Sequence, residues 1–137
     1  MKAYCAGAFP MAINARGEIA WFSPDPRALI PLDERFHVPH GLRRVLRQGR
    51  FEVTVDTAFE AVIRACSKTH GDTWISERII DSYCELHRLG LAHSVETRQA
   101  GELAGGLYGV QLGGAFFGES MFHYEADASK VALVALV

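Results

Sequence analysis

The 137-residue chain is poor in several things, and each shortage removes a class of explanation. It holds only three cysteines, Cys5, Cys66 and Cys84, an odd number with no close pair. That spacing offers neither a disulfide framework nor a thiolate metal knot, and it suits reduced thiols in a reducing compartment. Cys66 and Cys84 fall on expected apolar helix faces, where packing is the better reading than chemistry. The net charge is −2, so the chain has no basic excess with which to coat nucleic acid, and any such contact has to come from a local patch. No apolar run is long enough to span a bilayer. The opening stretch, Met1 to Met11, is too short and too mixed for a secretory leader. A cytoplasmic setting is the expectation.

Chemical signatures are equally scarce. There is no GxSxG elbow and no Walker sequence. The six histidines are scattered. His37 and His40 are separated by Pro39, and His87 and His93 by a helix end, so no zinc site is expected. Serines and histidines are too many and too unordered to assign a triad.

What is present is a globular composition, 49% hydrophobic and 22% charged, able to bury one core. The most distinctive stretch is Gly105 to Phe122, GGLYGVQLGGAFFGESMF. It reads as two strands joined by Gly113-Gly114, a dipeptide suited to a tight hairpin turn. Glycine inside a strand packs nothing and costs entropy, so its repetition suggests close approach by a ligand or by another backbone. Glu119 is the one carboxylate in this run. Two readings stay open: a core hairpin with Glu119 turned to solvent, or the wall of a binding site.

Elsewhere the pattern is mixed helix and strand. Residues 1–25 contain a short helical start and a turn at Asn14-Ala15-Arg16-Gly17. Trp21 to Arg27 holds two prolines and is extended or turning. Ala28 to Leu32 reads as a short strand. Pro39 to Gln48 reads as a helix stopped by Gly49, with Leu42, Val45 and Leu46 on one face and Arg43, Arg47 and the following Arg50 on another. That helix is either a solvated amphipathic face or a phosphate-binding one.

Phe51 to Val55 alternates as a strand, and Asp56 or Thr57 is expected to cap a helix running through Cys66. Lys68 to Asp72 reads as a polar loop. Trp74 has an exposed look in the short step before Ser76, the expected N-cap of a helix ending near Leu89 and Gly90. His93 to Arg98, a turn at Gln99 to Gly101, and Leu103 to Gln111 lead into the hairpin. Asp127 opens a last helix. The whole is an α+β pattern. The uncapped apolar run Val131 to Val137 and the abrupt start suggest a piece of a longer protein.

Several stretches carry a resemblance, in order along nearly the whole chain: AYCAGAFPM, WFSPDPRALIPL, FHVPHGLRRVLRQGRFEVT, TWISERIIDSYCELHRLGLAHSVE, GELAGGLYGV and FFGESMFHYEADASKVAL. Together they resemble the leucyl/phenylalanyl-tRNA–protein transferases. The resemblance implies a GNAT-like acyltransferase domain over residues 26–137, incomplete at its C-terminal side, preceded by the remnant of a small N-terminal subdomain over 1–25.

It also implies an activity: transfer of leucine or phenylalanine, and in some members methionine, from aminoacyl-tRNA to proteins beginning with arginine or lysine. That transfer marks them for N-end-rule degradation. The implied enzyme is a cytoplasmic monomer with no membrane partner, and needs no metal, nucleotide or covalent intermediate because the aminoacyl ester is already activated.

Residue by residue, the resemblance makes Trp74 the aromatic that stacks on the terminal adenosine, with Tyr83 a second site position. Leu107 and Met121 line the apolar pocket for the donor side chain, and Glu119 is the site carboxylate that holds the cationic acceptor. Arg43, Arg44 and Arg47 engage the tRNA acceptor stem. Arg98-Gln99-Ala100-Gly101-Glu102-Leu103 departs from the pyrophosphate loop of acetyl-CoA enzymes in lacking its last small residue.

Two departures from the family stand out. Met11 replaces a tryptophan of some members, and the family's Asp-x-Gln motif is not among these residues. That second departure motivates an alternative expectation, an inert domain that still binds aminoacyl-tRNA. A CoA-dependent N-acetyltransferase is a weaker third.

Overall fold

The computed structural model describes residues 1–14, 16–69 and 73–137. Two antiparallel sheets and five helices make up the described residues. Helix α1 (Lys2–Cys5) leads into a hairpin of β1 (Phe9–Ala12) and β2 (Ile19–Phe22), in register from Phe9 opposite Phe22 to Ala12 opposite Ile19. Between them Gly17 N–H donates to the Asn14 carbonyl at 3.0 Å; of the turn expected over 14–17, residue 15 lies outside the described residues. The two strands themselves are not signalled by the sequence, because Phe9-Pro10 and the short span mask any alternation.

The main sheet has the order β3-β4-β5-β6, formed by β3 (Glu52–Val55), β4 (Ala92–Gln99), β5 (Glu102–Leu112) and β6 (Ala115–His123). All pairings are antiparallel. Gly113-Gly114 is the two-residue connection of the β5–β6 hairpin, with Leu112 opposite Ala115 and Gly113 at φ 58°.

Helices cover both faces of this sheet. Helix α3 (Phe59–Thr69) and helix α4 (Glu77–Arg88) turn Phe59, Val62, Ile63, Cys66, Ile79, Ile80 and Tyr83 against Tyr108, Val110 and Phe122. Each large apolar side chain sealed there contributes about 1.5–3 kcal/mol. Helix α5 (Ala128–Leu136) packs on the opposite face against Val95 and Leu107. The alternation of Leu107 and Tyr108 along β5 therefore feeds two separate cores. Helix α2 (His40–Arg47) rests against α5 and leaves its arginines exposed.

Most strand glycines are explained by this layering. A Cβ on Gly105 would meet the Ala128 Cβ at 2.7 Å, and one on Gly106 would meet the Val95 carbonyl at 2.8 Å. A Cβ on Gly109 would collide with the Phe117 carbonyl and the Phe116 ring. These glycines admit α5, the neighbouring strand and two aromatic residues rather than a ligand.

Several sequence expectations need correction. Ala28 to Leu32 forms no strand: Leu29 is 85% exposed and the segment runs as irregular chain. Pro31, inside the segment, has no N–H to give to a ladder.

Helix α3 begins at Phe59 and is not capped by Asp56 or Thr57. Asp56 sits at φ 59°, and the α3 N-terminus is instead satisfied from the sheet by Glu96, which accepts from the Thr57 and Ala58 N–H groups at 3.4 Å each. Buried Glu96 also accepts from the hydroxyls of Thr54 (2.6 Å), Thr57 (2.8 Å) and Ser94 (2.5 Å). The expected loop over 68–72 gives way to helix as far as Thr69, and its remainder lies outside the described residues. Cys66 is buried, as the helix face implied, but Cys84 is only half-buried. Asp127 does open α5, standing at its N-cap position, while its carboxylate pairs with Lys130 at 2.7 Å rather than with the helix N–H groups.

Candidate functional site

A cavity of about 1050 Å³ opens along β6, under the irregular segment that runs from Pro24 to Arg35. Its wall is mostly apolar and includes Leu107, Met121, Phe116, Leu133, Phe9 and Phe117. Among the described residues, Glu119 is the only acidic side chain on that wall, and Arg27 and Arg35 are the basic ones.

The position of Glu119 follows from a break in the ladder. Tyr108 pairs with Ser120 and Gly109 pairs with Gly118, so Glu119 is the extra residue of a β-bulge with no partner on β5. A bulge re-aims the side chain it carries and leaves the strand locally kinked. Here it brings the carboxylate to Tyr4 on α1, whose hydroxyl donates to Glu119 Oε1 at 2.6 Å.

The Tyr4 hydroxyl is also bonded to that of buried Tyr83 on α4. A phenol has one proton, and that of Tyr4 goes to Glu119, so Tyr83 donates to Tyr4. The result is a directed chain from Tyr83 through Tyr4 to Glu119, assembled from three elements far apart in sequence. The solvent-facing reading of Glu119 does not hold.

Electrostatics follow from burial. Withdrawal from water pushes the Glu119 carboxyl above its usual range, opposed by the hydrogen bond from Tyr4, with Tyr83 behind it, and by the charge of Arg27. Burial beside that carboxylate drives the Tyr4, Tyr83 and Tyr108 phenols upward, so all three stay protonated, Tyr4 and Tyr83 as donors and Tyr108 with its hydroxyl buried and without a partner among the described residues. Burial also pushes the Cys66 thiol up to about 12, which leaves it un-ionised and unsuited to nucleophilic work. Arg27 is fixed by donating to the Gly7 carbonyl at 2.6 Å, and its guanidinium lies 6.0 Å from the centre of the Phe117 ring.

The structure treats the sequence-derived site residues unequally. Leu107 and Met121 are direct cross-strand partners, and both line the cavity with Glu119. Tyr83 lies behind the wall and reaches the cavity only through Tyr4. Trp74 is half-buried against the α3–α4 core, correcting its exposed look, and is not among the cavity-lining residues. Its carbonyl accepts from Ala12 N–H at 3.1 Å, which ties it to the β1–β2 hairpin close to half-buried Met11. Arg43, Arg44 and Arg47 are exposed on α2, where Arg43 donates to the Val38 carbonyl at 2.9 Å.

Sequence reasoning missed Tyr4, Arg27 and Phe117. Tyr4 sits on a helix of one turn, where periodicity carries no signal, and its acid partner lies 115 positions away.

Comparison with known proteins gives this arrangement its context. Residues 29–137 match the model of the family described as leucyl/phenylalanyl-tRNA protein transferase, and residues 1–25 match that of its N-terminal domain. Proteins named leucyl/phenylalanyl-tRNA–protein transferase are similar to the whole chain. The one from Akkermansia muciniphila is 58% identical and that from Chlorobaculum parvum 56%, the chain spanning 72% of each. The one from Salinibacter ruber is 58% identical, with 60% of its length spanned. The class is therefore that of aminoacyltransferases. The chain belongs to the leucyl/phenylalanyl-tRNA–protein transferase family.

Proposed function

We propose that the chain transfers leucine or phenylalanine, with methionine as a further donor residue, from aminoacyl-tRNA to the N-terminal arginine or lysine of acceptor proteins. The transfer marks them for N-end-rule degradation in the cytoplasm. The observation that carries this reading is the pairing of an apolar cavity with one bulge-aimed, half-buried carboxylate, in a chain of this family. Residues 26–137 act as a GNAT-like domain, residues 1–25 belong to a small N-terminal subdomain, and the enzyme works as a monomer.

The chemistry is aminolysis of an activated ester. The acceptor α-amine attacks the aminoacyl carbonyl carbon, a C–N bond forms, and the C–O bond to the terminal ribose breaks. The proton leaving the amine balances the one gained by the ribose hydroxyl. No covalent enzyme intermediate is needed, so the protein's contribution is placement, with some help in moving the proton.

Glu119 holds the cationic end of the acceptor, and the tyrosine chain favours its ionised form and fixes its direction. Leu107 and Met121 receive the donor side chain. An apolar pocket of this kind distinguishes methylene-scale differences by only about 1–3 kcal/mol, which suits a set of donors rather than one. Trp74 stacks on the terminal adenosine, a contact of about 1–3 kcal/mol per base. For Trp74 the support is its family match, since the indole stands outside the cavity wall. Arg43, Arg44 and Arg47 supply the local basic patch for the acceptor stem.

Incubation with radiolabelled leucyl-tRNA and two peptides differing only in the first residue, arginine or alanine, tests the reading. Label on the arginine peptide alone is expected. Equal labelling of both, or labelling of neither, contradicts it.

A further inference from the structure

Gly118 differs from the other glycines inside the main sheet. Gly105, Gly106 and Gly109 are small because a Cβ on each would strike the protein's own atoms. At Gly118 a Cβ meets nothing within 4 Å. Its φ is not in the left-handed region, so no turn geometry demands glycine there either. Glycine within a strand is less favourable than alanine, and neither packing nor backbone conformation offsets that here.

Position settles what the missing side chain leaves room for. Gly118 lines the cavity and immediately precedes bulged Glu119. We propose that Gly118 is a substrate-binding position: the main chain of the acceptor's first residues lies across it, with the acceptor's amino end held by Glu119. This inference rests on the function proposed above, and it adds the path of the acceptor.

Three features favour the acceptor over the donor as the occupant. The adjoining charge is a carboxylate, which attracts an ammonium and repels the phosphates of a tRNA. An extended main chain needs a strip free of side chains, and the absent Cβ at Gly118 leaves one. The apolar lining from Leu107 and Met121 to Leu133 is better suited to the donor side chain.

The test compares wild type, Gly118→Ala and Gly118→Val, measuring melting temperature and KM separately for an arginine-initiated peptide and for leucyl-tRNA. The added methyl groups project into open space, so melting temperatures equal to or above wild type are expected. The peptide kcat/KM falls roughly 10- to 100-fold, more for valine, while the KM for leucyl-tRNA stays within about twofold. An unchanged peptide KM overturns the proposal, as does a defect confined to the leucyl-tRNA KM. A collapse of melting temperature in Gly118→Ala also overturns it, since Gly118 is then a packing glycine like its neighbours. Wild type that labels no peptide refutes the proposed function itself, a result separate from any reading of the variants.

Discussion

The Tyr4 hydroxyl donates to Glu119 Oε1 at 2.6 Å, joining the first helix of the chain to the bulge in its last strand. A one-turn helix has little stability of its own. It is held where it is by Tyr4, which is 5% exposed in the main core and stacks edge-on with Phe117 at 5.4 Å. The same residue thus anchors the N-terminal segment and orients the site carboxylate.

Tyr4→Phe separates these roles, because the ring stays and only the donor goes. Loss of a hydrogen bond to a buried carboxylate costs about 1.5–3 kcal/mol of stability at neutral pH. The sign with pH is fixed by Glu119, whose carboxyl already lies above its usual range and rises further when the Tyr4 donor is removed. A carboxyl with a raised folded pKa loses stability as pH climbs from the unfolded value through the folded one. The deficit of Tyr4→Phe relative to wild type is therefore small at acid pH and grows toward neutrality. Urea denaturation across that range checks it. The acidic limb of the transfer rate moves to higher pH in the same variant.

Glu96 gives a prediction about folding rather than catalysis. It is fully buried and accepts from three hydroxyls and two backbone N–H groups at the start of α3. Glu96→Ala strands those donors without partners and is expected to cost about 3–5 kcal/mol. Glu96→Gln keeps most of the geometry and costs less, about 1–2 kcal/mol. Equilibrium unfolding in urea, followed by tryptophan fluorescence, separates the two.

The strand glycines predict opposite outcomes for the same substitution. Gly109→Ala drives a methyl into the Phe117 carbonyl and the Phe116 ring at the point where the β5–β6 register shifts. A backbone atom cannot step aside as a side-chain tip does, so the cost is about 3 kcal/mol, at the upper end for overpacking. Thermal melting shows it, whereas Gly118→Ala melts no lower than wild type.

The α2 arginines predict a salt dependence. Replacing Arg43, Arg44 or Arg47 with alanine weakens tRNA binding and lowers the slope of log affinity against log salt by about one for each phosphate no longer neutralised. Helix content is unaffected, because all three side chains are exposed. Filter binding at several salt concentrations measures the slope. An unchanged slope in all three variants places the tRNA elsewhere.

The main elements are legible in the sequence where a period is long enough to see. Helices α3 and α4 carry several turns of apolar spacing, and β4 to β6 are bounded by glycine turns. Legibility ends where the determinant is tertiary. The cap on α3 comes from Glu96 on a strand 38 to 39 positions away, which no local capping rule detects. The segment over 28–32 has strand-like composition but pairs with neither sheet, and its exposed apolar residues line the cavity instead.

At the candidate site, Glu119 stands out as the one carboxylate of the glycine-rich stretch, whereas Leu107 and Met121 are supplied by the family resemblance alone. Tyr4 and Arg27 are not legible, because only the folded chain brings the N-terminal helix and the following loop against β6. The repeated glycine does signal close approach, and at three of those positions what approaches is the protein's own packing.

The central claim is that Glu119 does the work of the site. Glu119→Gln keeps the size of the side chain and its capacity to accept from Tyr4, but removes the charge. Burial disfavours that charge, so the variant is expected to melt no lower than wild type at neutral pH. Transfer of radiolabelled leucine from leucyl-tRNA to an arginine-initiated peptide is the most direct measurement. The account predicts a loss on the order of 10²-fold or more in a variant that remains folded and still binds leucyl-tRNA. Transfer at the wild-type rate by folded Glu119→Gln would contradict it.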